Sequence, residues 1–213
     1  MEAAAAPPPP SSDRIVGAEV CADAGYLCPG LAERDEPRIL RWADDTRTIR
    51  VGVPRPEGVP APRDRELQDA AAAGLLAWQD KPFRIVVDRS LREEVDFVVR
   101  WSTLLDGNQL GRTRTRWVRE PDGRTGMQVT EFVVVHRDPF EATRPLSPEA
   151  VQLAAAHEMG HALGLPHSDS DRDVMYPTNT ATTLSARDYT TMSALYRVEN
   201  GALIALPPAA GDR

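Results

Sequence analysis

The chain has 213 residues, with 32 acidic and 25 basic side chains and a formal charge of -7 at pH 7. That balance argues against general affinity for nucleic acid, and no apolar run approaches the roughly 18 residues of a membrane span, so no transmembrane segment is expected. The length suits one domain with tails, large enough to bury a core without disulfide staples.

Residues 1–13 are rich in alanine and proline and then polar, a composition of flexible or extended tails. Met1-Glu2 lacks a basic start, and Ala3–Ala6 run straight into Pro7–Pro10, so no secretory leader is visible. Residues 14–37 show little periodicity and hold both cysteines, Cys21 and Cys28. They are expected to form an irregular arm against the main domain, or the remnant of a prosegment.

The main domain is expected to span 38–197. Ile39–Trp42 and Thr48–Val53 alternate apolar and polar residues and predict a first strand, followed by a proline-rich loop over 54–62. Leu67, Ala70, Ala71, Gly74, Leu75 and Trp78 recur at spacings of three and four, which predicts a long helix over 64–80 with Trp78 in the core. Residues 83–87 and 95–101 predict the second and third strands. Residues 112–118 and the valine-rich 127–135 predict a hairpin around a turn at Glu120-Pro121-Asp122-Gly123. Arg112, Arg114 and Arg116 share one side of their strand by period two. They suit either a solvated, anti-aggregating edge or a preference for acidic substrates. His136, at the end of the valine-rich strand, is read as structural or surface.

Ser147 and Pro148 are an N-cap and first-turn pair that open a helix through Val151 into His157. His157 and His161 are four apart and so lie on one helical face. Glu158 can reach a water in an open metal position without ligating the metal itself. Gly164 can take the left-handed turn that ends the helix, and Pro166 blocks its resumption. His167 then returns on an extended segment as a third ligand. Three imidazoles with an open fourth position are the donor set of a catalytic zinc. Three of the four histidines fall in these eleven residues.

His157-Glu158-Met159-Gly160-His161-Ala162-Leu163-Gly164-Leu165-Pro166-His167, with Asp173-Val174-Met175-Tyr176-Pro177 after it, resembles the metzincin zinc endopeptidases, and among them the matrixins, the family of matrix metalloproteinases. The resemblance gives Met175 the role of the structural Met-turn methionine beneath the zinc ligands. Some metzincins use a tyrosine two residues after that methionine as an extra ligand; here Pro177 occupies that position, and Tyr176 is not assigned to the metal. The resemblance implies an α+β metzincin catalytic domain: a five-stranded mixed twisted sheet with one antiparallel edge strand, two long helices and a carboxy-terminal helix. It implies one catalytic Zn2+, with His157, His161 and His167 as metal ligands and Glu158 as catalytic base.

The acidic span 168–173 has oxygen donors that suit calcium, but no full ligand set accompanies them. Ser185 and Asp188 form a capping-box pair opening a helix with Tyr189, Met192, Leu195 and Tyr196 on it. Residues 198–213 are expected to be a poorly structured tail. By resemblance, 112–118 is the edge strand above the cleft, along which a protein or peptide substrate lies extended. The implied function is a zinc-dependent endopeptidase, extracellular or periplasmic, acting as a monomer. Two alternatives stand beside it: a zinc-binding module without catalysis, and a protease kept latent by its amino-terminal segment. The cysteines bear on the second. They form a small disulfide loop, or a thiolate, Cys28 in Cys28-Pro29-Gly30, reaches the zinc, as a propeptide cysteine does in matrixins.

Overall fold

The computed structural model describes residues 15–16, 18–32, 37–79, 82–119, 125–141, 143–178 and 180–204. The expected tail over 1–13 and the turn at 120–123 lie outside them.

The segment expected to be an irregular arm contains β1 (Ile15–Val16), a single 3-10 turn (Ala18–Cys21) and α1 (Leu27–Ala32). Tyr26, Leu27 and Leu31 are fully buried, so this stretch contributes to the core. Local periodicity could not reveal this, because α1 is only six residues long and gains its stability from what it packs against. The chain then forms β2 (Thr48–Gly52), shorter than the predicted first strand. Ile39, Arg41 and Trp42 are buried without strand pairing, and the chain turns at Asp44-Asp45 before β2 begins.

Next come α2 (Arg63–Leu76), β3 (Arg84–Asp88), β4 (Phe97–Val98) and β5 (Arg100–Ser102). Helix α2 stops four residues before the expected end, yet Trp78 just beyond it is buried, and its indole N–H donates to the Ala156 carbonyl at 2.8 Å. The chain continues through β6 (Gly111–Arg119), β7 (Thr125–Val135), α3 (Pro148–Ala162), α4 (Ala186–Arg197) and β8 (Leu203–Ile204). The expected carboxy-terminal tail thus begins with ordered structure. Ala202 and Ile204 are buried, and β8 pairs in parallel with β1.

Where one five-stranded sheet was expected, hydrogen bonding defines two three-stranded sheets, ordered β3-β2-β4 and β5-β7-β6. All pairs in them are parallel except β6 with β7, which is antiparallel. The division falls at Val99, within the predicted third strand. The end of β2 overlaps only the start of segment 97–102, and the end of β7 overlaps only its finish. Each half therefore has its own single partner. β6 is the outer strand of its sheet, with one side unpaired.

The sheets rest on α2 and α3, with Ile49, Leu67, Leu75, Phe132, Val134, Val151 and Met159 fully buried in the core. Helix α3 begins as predicted: the Ser147 hydroxyl accepts the Ala150 N–H at 3.1 Å, and Pro148 occupies the first turn. At its other end the Trp42 indole N–H donates to the Ala162 carbonyl, one of the acceptors that a helix terminus leaves open. Helix α4 carries the full capping box of Ser185 and Asp188.

Candidate metal centre

His157 and His161 project from the last two turns of α3. The helix then ends at Gly164, whose φ of +99° lies in the left-handed region. A side chain there is doubly excluded, because a Cβ would stand 2.4 Å from the Leu40 carbonyl oxygen. The chain reverses through buried Pro166 and presents His167. One ligand atom from each of the three histidines lies within 4.8 Å of the others, a group that could hold a metal ion. Among the described residues it is the one such group of histidine, cysteine or carboxylate side chains.

Second contacts fix the ring tautomers. The Nδ1–H of His157 donates to the Val174 carbonyl at 2.8 Å, and that of His161 to the Leu165 carbonyl at 2.9 Å. Both Nε2 atoms therefore carry lone pairs. The Nε2 atoms of His161 and His167 stand 3.2 Å apart. Ring nitrogens this close can share one cation. Three imidazoles suit zinc. Burial also pushes the His157 imidazole down to about 4, against the opposing pull of the Val174 carbonyl, so the ring stays neutral well below pH 7.

Glu158 is buried, 5% exposed, and its Oε2 has no hydrogen-bond partner among the described residues. Burial pushes its carboxyl up to about 7, against the Thr113 hydroxyl and the Arg112 guanidinium. The Thr113 hydroxyl donates to the Glu158 main-chain carbonyl at 3.0 Å and ties β6 to α3 beside the site. Gly111 of β6 lies directly against the carboxylate: a Cβ there would be 2.4 Å from the Glu158 Cγ and 2.7 Å from Oε1. A cleft of about 290 Å³ runs along these residues, lined by Leu110, Gly111, Thr113, the three histidines, Glu158 and Pro177 among others. The spacing of the motif located Glu158, but not Gly111 or Thr113. A glycine and a threonine in a strand carry no chemical signature until the strand is seen against the helix.

Met175 is fully buried, and its Sδ lies where a Cβ on Gly160 would sit. The methionine thus packs against the glycine between the two helical histidines. The Ser168 N–H donates to the Met175 carbonyl at 2.8 Å, joining the third-histidine segment to this turn. Tyr176 donates its N–H back to the Asp173 carbonyl.

Behind the turn lies a network that the capping-box reading did not reveal. Asp188, fully buried, accepts from the Ser185 N–H at 2.7 Å as a helix cap. The same carboxylate accepts from the Val174 N–H at 3.1 Å and from the Tyr26 hydroxyl at 2.7 Å. Asp173, 2% exposed, accepts from the hydroxyls of Ser168 and Ser185 and from Arg187. Arg187 also bonds Asp169 at 2.6 Å. The carboxylates of Asp169 and Asp173, considered for calcium, are thus engaged by an arginine and two hydroxyls.

Cys21 and Cys28 form a disulfide, so the cysteine-on-metal arrangement does not occur. Arg112 and Arg114 both pair with Glu131, and Arg116 bonds Gln128. His136 is buried edge-on to Trp101 at 6.4 Å, away from the three histidines.

The arrangement resembles the metal site of metzincins: two histidines one helical turn apart, a third after a glycine turn, a neighbouring buried glutamate and a methionine packed against the helix. Residues 100–197 match the family model of the matrixins. The resemblance drawn from the motif is thus supported over residues 100–197, where the chain is similar to the matrixins, a metzincin family of zinc metallopeptidases. No curated protein matches the chain.

Proposed function

We propose that the protein is a zinc-dependent endopeptidase in which His157, His161 and His167 hold the metal and Glu158 is the general base and acid. The observation that carries this reading is the bare, buried carboxylate oxygen of Glu158 beside three converging imidazoles in an open cleft. Burying an unpaired carboxylate costs several kcal/mol of desolvation in typical cases, on the order of 1–3 or more. A module that only stored zinc would have no use for it.

When bound, zinc supplies a Lewis acid for the scissile carbonyl and lowers the pKa of water in its open position. Glu158 takes a proton from the attacking water and delivers it to the leaving amine. Burial raises the affinity of the Glu158 carboxylate for a proton, which suits it to accept one. Thr113 and Gly111 hold the edge strand close without crowding that carboxylate. The unpaired side of β6 offers backbone N–H and C=O groups to a peptide laid alongside in extended form, which accommodates many sequences in one geometry.

The proposed setting is outside the cytosol, extracellular or periplasmic, with the protein working as a monomer. No helix among the described residues is long and apolar enough to cross a membrane. The latent-protease alternative draws no support from the described part of the amino-terminal segment, which contributes no residue to the cleft.

The test is Glu158→Ala, assayed on casein and on a peptide library with metal analysis in parallel. Cleavage should fall by about 10²-fold or more, the scale of general acid–base catalysis, while zinc is retained. A variant that cleaves like its parent would remove Glu158 from the mechanism. A parent that takes up no zinc would remove the metal.

A further inference from the structure

The segment 18–32 meets the back of the metal centre at two places. Tyr26, fully buried, sits inside the loop closed by Cys21 and Cys28. Its hydroxyl donates to Asp188 Oδ1 at 2.7 Å, and its main-chain N–H donates to the Thr191 hydroxyl at 3.1 Å. Asp188 Oδ2 accepts the Val174 N–H, and the Val174 carbonyl accepts the Nδ1–H of His157. Four groups in series thus run from the disulfide loop to a histidine of the site. The second place is Gly30 in α1. A Cβ there would stand 2.6 Å from the His167 carbonyl oxygen and 2.6 Å from Pro166, so the helix backbone is pressed against the segment that presents the third histidine.

We propose that Tyr26 is a positioning residue of the metal centre, acting through Asp188 and the Val174 peptide on the ring of His157, and that the disulfide-closed segment carrying it is a built-in brace of the site. The phenol is suited to this work. Among side chains with a ring large enough to fill a core position, it also brings one hydroxyl donor to a buried carboxylate. Arg187 lies over the same ring, 5.6 Å from its centroid, and pairs with Asp173, which accepts from the Ser168 hydroxyl next to His167. The brace therefore reaches both the first and the third histidine. Contacts beyond the ligands orient them and tune metal affinity, and their loss typically weakens binding about 10- to 100-fold.

This inference rests on the three histidines holding a metal, and the experiment separates the two. Zinc affinity is measured by chelator competition, and the cobalt-substituted protein by its visible spectrum. The proteins are the parent, Tyr26→Phe, Gly30→Ala and Trp101→Phe. The last removes an indole bond to the Pro54 carbonyl outside the cleft and the network. All are compared at a temperature where circular dichroism shows them fully folded. Tyr26→Phe should bind zinc about tenfold more weakly, the lower end of the range for outer contacts, with a shifted cobalt spectrum. Gly30→Ala should weaken zinc in the same direction. Trp101→Phe should bind like the parent, since lower stability alone leaves the affinity of the folded protein unchanged. Parent-like affinity and spectrum in Tyr26→Phe would overturn the proposal, and if that variant does not fold, Gly30→Ala decides in the same way. A parent that binds neither metal would instead overturn the metal-site reading beneath it.

Discussion

The two sides of the metal centre are built differently. On the cleft side, Glu158 is buried with one oxygen unpaired, and Gly111 leaves it space. On the far side, the buried carboxylates of Asp188 and Asp173 each accept three or more hydrogen bonds, from Tyr26, Val174, Ser168, Ser185 and Arg187. Carboxylates at similar depth are thus satisfied behind the site and left unsatisfied where it faces the cleft. An unsatisfied polar group costs stability, so its persistence on one side marks the place where the group has work to do.

The strongest way to break this contrast is to remove the far-side anchor. Asp188→Ala strips the acceptor from three buried donors and should destabilise the fold by about 3 kcal/mol, at roughly 1 kcal/mol or more per orphaned group. Urea unfolding measures it. A loss under 1 kcal/mol would mean that the network does not hold the turn.

The cleft side should respond with the opposite sign. In the metal-free protein Glu158 has a folded pKa of about 7, above the ordinary carboxyl value of 4.5. The folded state then holds a proton that the unfolded state has released, and stability falls as pH rises from 4.5 to 7. Glu158→Gln abolishes that dependence. The variant should gain on the parent across this window, by on the order of 2–3 kcal/mol at pH 8. His157 has the reverse dependence, with a folded pKa of about 4 below the usual 6.5, so its contribution is lost as pH falls from 6.5 to 4. It is present in both proteins and cancels in their difference. A difference curve flat between pH 4.5 and 8 would show that the Glu158 carboxyl is not perturbed.

A smaller effect sharpens the contrast within the cleft. Gly111→Ala inserts a methyl where the Glu158 side chain lies. Peptide cleavage should drop about tenfold through kcat, since the proposed base is displaced by a fraction of an ångström to an ångström, while zinc affinity stays at the parent value. Equal loss in both would place the disturbance in the ligands. The smallest effect is expected at the arginine face of β6, which is partly exposed. Replacing Arg112, Arg114 and Arg116 with serine should change stability by about 1 kcal/mol or less, as for partly exposed pairs. It should leave the ratio of cleavage between acidic and neutral peptides unaltered, because Glu131 and Gln128 already engage these side chains. A changed ratio would bring the arginines into substrate recognition.

The local code of the chain determined more of the site than of the sheet. Four-residue spacing placed His157 and His161 on one face, Gly164 and Pro166 dictated the reversal to His167, and Ser147 and Ser185 marked the starts of α3 and α4. Each of these signals acts within a few residues, so it survives without knowledge of the fold. The extent of the sheets was less legible. The division at Val99 depends on how far β2 and β7 overlap one short segment, which no residue of that segment encodes.

Only the tertiary structure decided the pairing of Asp188 with Tyr26, the place of Gly111 against Glu158, and the burial of Tyr26 behind His157. These pairings join positions 47 to 162 residues apart, or a strand to a helix, and each of the residues has an ordinary local role: a cap, a strand glycine, an aromatic in a loop. Spacing along the chain specifies what lies within a turn or two. Contacts across the core are specified by the packing of the whole, and it is there that a segment without periodicity became part of the metal centre.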